Sequence, residues 1–135
     1  MHSYERLEHT ADAFVKCTGD TVEECFENAA YALFDQTVDL RGVSPIEDMH
    51  FEVRGGTPEQ RLYNFLSELL FIEETERIFL CEFSVRFEND NVVCDAKGER
   101  LDLKRHKTRV EVKAVTYHML TVDEKTPSVT VLFDI

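Results

Sequence analysis

Two stretches of helical periodicity, each opened by a threonine, interrupt a chain whose other apolar residues mostly alternate with a period of two. Thr21-Val22-Glu23-Glu24 has the form of a capping box, in which Thr21 accepts from the backbone N–H three residues on and Glu24 reaches back. Behind it, Val22, Cys25, Phe26, Ala29, Leu33 and Phe34 recur at helical spacing, which predicts a helix over residues 22–38. Thr57-Pro58-Glu59-Gln60 opens a second helix, with Pro58 at the first helical position. Its stripe of Leu62, Phe65, Leu66, Leu69 and Leu70 marks it as the main core helix.

The remainder reads as strands. Residues 4–7 and 14–17 precede the first helix. Met49, Phe51 and Val53 alternate with His50, Glu52 and Arg54 up to Gly55-Gly56. Residues 78–87 and 92–97 flank the turn candidate Asn89-Asp90-Asn91 and predict a hairpin. Further strands are predicted over 110–117, 119–122 and 129–135. This order gives an α+β fold, with two helices packed on one face of a mainly antiparallel β-sheet. The 135 residues form a single domain, since two separate cores would each be marginal.

Charge narrows the function. Fifteen basic against 27 acidic residues leave a net charge of −12, which repels phosphate backbones and suits basic protein partners or hard cations. No apolar run approaches the ~20 residues that a bilayer demands, and the N-terminus lacks the basic and apolar regions of a signal peptide. Cys17, Cys25, Cys81 and Cys94 form no C-x-x-C pair and mostly sit in apolar patterns, as reduced thiols of a cytoplasmic protein would. The nucleotide-binding, zinc-protease and serine-hydrolase signatures are absent. A calcium loop begun at Asp90 would put Val92 and Cys94 where oxygen ligands belong.

Three segments carry candidate chemistry. In His9-Thr10-Ala11-Asp12, a histidine and an aspartate at a strand junction could converge on an ion, or His9 and Thr10 could simply brace a turn. In the C-terminal run, Val129, Val131, Phe133 and Ile135 share one face and Thr130, Leu132 and Asp134 the other. The alternation reaches the last residue, so the carboxylate of Ile135 would stand beside that of Asp134 and call for a balancing cation. The alternative is an edge strand pointing into water. In Val112 to His118, alternation places Lys113, Val115 and Tyr117 on one face and Thr116 and His118 on the other. Lys113 could balance carboxylates or merely snorkel at an edge. Just upstream, Arg100, Lys104, Arg105, Lys107 and Arg109 fall within ten positions, as an anion contact or as a solvated loop.

Taken in order, these segments resemble the archease family over nearly the whole chain. The resemblance rests on His9-Thr10-Ala11-Asp12, on Gly19-Asp20-Thr21-Val22-Glu23-Glu24 with Asn28-Ala29-Ala30 and Leu33-Phe34, and on Asp102, Arg105 and His106. Its most specific part is Lys113-Ala114-Val115-Thr116-Tyr117-His118, and the chain closes on Asp134-Ile135. It implies a non-catalytic accessory protein in tRNA splicing. The partner would be an RtcB-type RNA ligase, whose GTP-dependent guanylylation and multiple turnover the protein promotes, with at most indirect RNA contact and no membrane. It also implies a divalent cation, calcium first with magnesium or manganese as alternatives, held by Asp12, Asp134 and the Ile135 carboxylate. His9, Thr10, Lys113, Tyr117 and His118 would stand behind that site or meet the partner. Competing readings are a metal-dependent phosphoesterase acting on RNA ends through His9, Asp12 and His118, and a general chaperone or interaction module.

Overall fold

The computed structural model describes residues 3–7 and 12–135. His9 and Thr10 lie outside the described residues. The strands β1 (Tyr4–Leu7) and β2 (Asp12–Thr18) lead into α1 (Val22–Thr37). Thr21 caps this helix, its hydroxyl accepting from the N–H of Glu24 at 3.1 Å. Glu24 does fold back, but it accepts from the N–H of Asp20, one residue earlier than a capping box requires. After β3 (Glu47–Arg54), the helix α2 (Pro58–Glu76) starts in the same way. Thr57 accepts from the N–H of Gln60, and Gln60 accepts from that of Gly56. Arg77, with φ 55°, closes α2 in the left-handed region and turns the chain into β4 (Ile78–Glu88).

β4 and β5 (Asn91–Arg100) form the predicted hairpin, turning at Asn89 with φ 57°. β6 (Ala114–Asp123) and β7 (Ser128–Asp134) complete the chain. Where the sequence implied one sheet, there are two, both antiparallel. The first has the order β1-β2-β7-β6 and the second β3-β5-β4. The last strand thus lies inside the first sheet, between β2 and β6. α1 packs on β2 and β7 of one sheet and on β4 of the other, while α2 packs on β6, β3 and β4. The helices bridge the two sheets, and their buried stripes, with Phe26, Phe34, Phe65 and Leu69 among them, fill the space between. All four cysteines are free and buried there, and burial pushes the thiols of Cys17 and Cys94 up to about 12. They pack as apolar groups, as their sequence setting implied.

A separate strand over 110–117 does not form. Residues 109–113 precede β6 and are fastened to the end of α1. The N–H of Arg109 donates to the carbonyl of Thr37 at 2.7 Å and that of Val110 to Gln36 at 3.0 Å. The two strands expected over 110–117 and 119–122 are instead one, broken by a bulge. Register passes from Thr116↔Leu132 to Thr121↔Thr130, leaving Tyr117 to Leu120 out of the ladder. Met119 takes a φ of 62° within it, and its carbonyl accepts from the Thr130 hydroxyl at 2.9 Å.

At Gly98 a side chain is excluded by the β4 backbone, because a Cβ there would lie 2.0 Å from the carbonyl oxygen of Phe79 and 2.7 Å from the Cα of Leu80. This contact sits beside the irregularity between Leu80 and Glu82. Gly98→Ala is therefore expected to lower unfolding free energy by about 1–3 kcal/mol in urea denaturation, through forced displacement of β4.

Candidate functional site

β2 is fixed in register by its apolar set. Ala13, Val15 and Cys17 are fully buried and stand opposite Phe133, Val131 and Val129 of β7. A one-residue slip would turn that set outward and Asp12 inward, so the register is strongly specified. Its last pair is Asp12↔Asp134. Directly opposed residues of an antiparallel pair share a face, with Cβ atoms ~5 Å apart. Two half-buried aspartates, 122 positions apart in sequence, therefore stand side by side on the face away from the core. β6 completes the row, with Ala114 opposite Asp134 and the N–H of Lys113 donating to the Asp134 carbonyl at 2.7 Å. Ile135 follows, half-buried against the core beside the fully buried Phe133.

Asp12, Asp134, Ile135 and the start of the Lys113–His118 motif thus meet at one end of the first sheet. Tyr117 and His118 are exposed and lie on or next to the bulge. The face assignment from alternation holds for Ala114 to Thr116 and fails beyond, because the bulge resets it. Val115 is buried, whereas Lys113 and Tyr117, placed with it by simple alternation, are exposed. The donors offered by Asp12 and Asp134 are carboxylate oxygens, which suit a hard cation. Among the described residues, no group of three or more His, Cys, Asp or Glu side chains is placed to hold a metal ion. The two aspartates would need further oxygens to complete the shell of such a cation.

The chain reaches this end through residues 101–113, and a buried clasp fixes their path. Glu99, its side chain only 9% exposed, accepts on one oxygen from the Ser44 N–H and from Nε2 of His106, both at 3.0 Å. Its other oxygen is held by the guanidinium of Arg105. Nδ1 of the buried His106 accepts from the N–H of Asp102 at 2.9 Å, so the donating proton sits on Nε2. Phe79 packs edge-on against the ring. The hydrogen bond from His106, with those from Ser44 and Arg105, holds the Glu99 carboxyl at about 2. The sequence points to Arg105 through the basic cluster and the resemblance and to His106 through the resemblance alone, whereas Glu99 is not singled out. Its signal is a break in pattern: β5 alternates Asp95 out, Ala96 in, Lys97 out and Gly98 in, then buries Glu99 where alternation would expose it. The neighbouring basic cluster is largely absorbed inside the chain. Arg100 meets Glu47 and Glu76, Arg105 meets Glu99, and Arg109 meets Asp35 and Asp39.

These features define a small two-sheet α+β protein with an acidic pair at one sheet end, braced by a loop locked on a buried carboxylate. The sequence profile of the archease protein family (MTH1598/TM1083) matches residues 4–135. The chain is 41% identical over 128 residues to protein archease of Pyrococcus abyssi, spanning 92% of this chain and 90% of that one. It is equally 41% identical over 128 residues to protein archease of Thermococcus gammatolerans, with the same shares. The solution structure of Methanobacterium thermoautotrophicum protein 1598 superposes with a TM-score of 0.83 at 34% identity, covering 100% of both chains. A crystal structure of an archease from Thermotoga maritima shares the fold, with a TM-score of 0.66 at 22% identity, over 100% of this chain and 99% of that one. The chain belongs to the archease family.

The clasp sets a pH dependence. The Glu99 carboxyl lies near 4.5 when unfolded and about 2 when folded, so its stabilisation is complete above the higher value and is lost as pH falls through the lower one. Wild type should lose stability more steeply between these values than Glu99→Gln, as read by denaturant midpoints. Equal slopes would show that the clasp carries no such linkage.

Proposed function

We propose that this chain is a non-catalytic accessory protein that activates an RtcB-type RNA ligase, promoting its guanylylation and multiple turnover in tRNA splicing. Its membership of the archease family supports the reading, and the observation that carries it is the direct opposition of Asp12 and Asp134. Directly opposed residues bring their side chains within ~5 Å, so two sets of carboxylate oxygens, which suit a hard cation, are held together at a fixed register. A divalent cation, calcium before magnesium or manganese, would neutralise the pair and leave coordination positions for oxygens of a partner.

The residues of the chain do the positioning. Asp12 and Asp134, with the Ile135 carboxylate, supply the oxygens. The bond from Lys113 to the Asp134 carbonyl holds the end of β7 against the turn into β6. A surface bearing −12 is steered towards a ligase cleft that must attract GTP and RNA phosphates, and it disfavours direct RNA binding. Such work belongs with the cytoplasmic pool of tRNA. Among the described residues no helix is long and apolar enough to cross a membrane. The Thermotoga maritima relative is described as a possible chaperone, and assisting another protein's active site is compatible with that description.

Asp12→Asn and Asp134→Asn should each keep the wild-type far-UV spectrum and melt. Each should lower stimulation of multiple-turnover ligation at least ~100-fold, the scale on which loss of a metal-orienting group is felt. Both should also abolish calcium binding in calorimetry. Full stimulation by either variant would remove these residues from the site.

A further inference from the structure

α2 carries a second stripe besides its buried one. Tyr63, Ser67, Leu70, Phe71 and Glu74 recur at helical spacing and line a shallow cavity of about 200 Å³ together with Lys113, Ala114 and Val115 of the opposite wall. Phe71 is 58% exposed. Tyr117, 52% exposed, extends the patch by packing its ring on Tyr63, with centroids 5.3 Å apart. Two large aromatic groups left in water beside a hollow of mixed polar and apolar lining are the signature of a surface completed by another molecule. The hollow also abuts the acidic pair, because Ala114 on its wall is the register partner of Asp134.

We infer that this seam between α2 and residues 113–117 is the face on which a partner protein docks, and that the docked surface is basic with an apolar or guanidinium side chain that enters beside Phe71 and the Tyr63–Tyr117 pair. Charge complementarity selects this occupant. Within the lining Glu74 is offset by Lys113, but α2 carries five glutamates and one arginine, and Asp12 and Asp134 lie just beyond, so the surroundings of the seam are acidic. Phosphate-bearing ligands are repelled by such surroundings, whereas an arginine is attracted by both the carboxylates and the tyrosine faces. A second copy of this chain would bring the same excess of negative charge. The inference rests on the ligase-activation reading, for which it supplies the docking surface. Phe71 and Tyr117 set occupancy, while the acidic pair acts once the complex has formed.

The test is ligation at limiting RtcB-type ligase with the full chain titrated in, comparing wild type with Phe71→Glu, Tyr117→Ala and Ile46→Glu. Ile46 is 68% exposed and lines a different surface, so its variant is the control for a charge added to an exposed apolar site. Phe71→Glu and Tyr117→Ala should raise the half-maximal concentration about tenfold or more, with the plateau rate kept, and Ile46→Glu should leave it unchanged. An unchanged half-maximal concentration for both patch variants would overturn the inference. So would a lost plateau in a folded variant, an equal shift in the Ile46 control, or sedimentation showing wild-type dimers that Phe71→Glu dissolves. If wild type gives no stimulation at all, it is the ligase-activation reading that fails; the docking face is then judged by whether Phe71→Glu and Tyr117→Ala bind a basic protein column more weakly than wild type at equal salt.

Discussion

The pairing of β2 with β7 is the constraint on which the rest of the molecule depends. It joins the two ends of the chain over seven residue pairs, from Asp12↔Asp134 to Thr18↔Ser128. Because β7 lies between β2 and β6, the first sheet has no continuous ladder without it. The pairing also carries the buried apolar set that α1 covers. The acids at its end are thus placed by hydrophobic register rather than by any attraction between them.

The loop between β5 and β6 shows the same division of labour. Its polar contacts are spent on fastening: Leu101 to Arg77, His106 to Asp102 and Glu99, Val110 to Gln36, and Lys113 to Asp134. Each bond satisfies a backbone or buried polar group that irregular chain would otherwise leave unpaired. Arginines placed here neutralise carboxylates of the body, so a segment that looks cationic in sequence is close to balanced in space.

Both helices could be read from their caps and stripes, because those signals are local. α1 ends one residue short of the expected boundary, and α2 begins at Pro58 as expected. The β4–β5 hairpin was legible for the same reason. The division into two sheets was not, since it depends on which strands pair across a hundred residues, and alternation says nothing about partners. Val110 and Val112 alternate like a strand, yet the backbone at Val110 bonds to the end of α1, and Met119 adopts a left-handed conformation that no pattern of apolar residues announces. Of the candidate site, the face bearing Asp134 was legible in the alternation of residues 129–135. Its meeting with Asp12 came from family resemblance alone, since composition and spacing left it open, and Glu99 escaped because it is buried out of phase.

The central position of β7 has a further consequence for biosynthesis. Until residue 134 has cleared the ribosomal exit tunnel, the nascent chain displays β2 with one edge uncovered and α1 with part of its apolar stripe bare. The β3-β5-β4 sheet is complete well before that moment. Maturation therefore proceeds outward from the middle of the polypeptide, and a translation product lacking β7 would present a sticky, half-finished layer to the quality-control machinery.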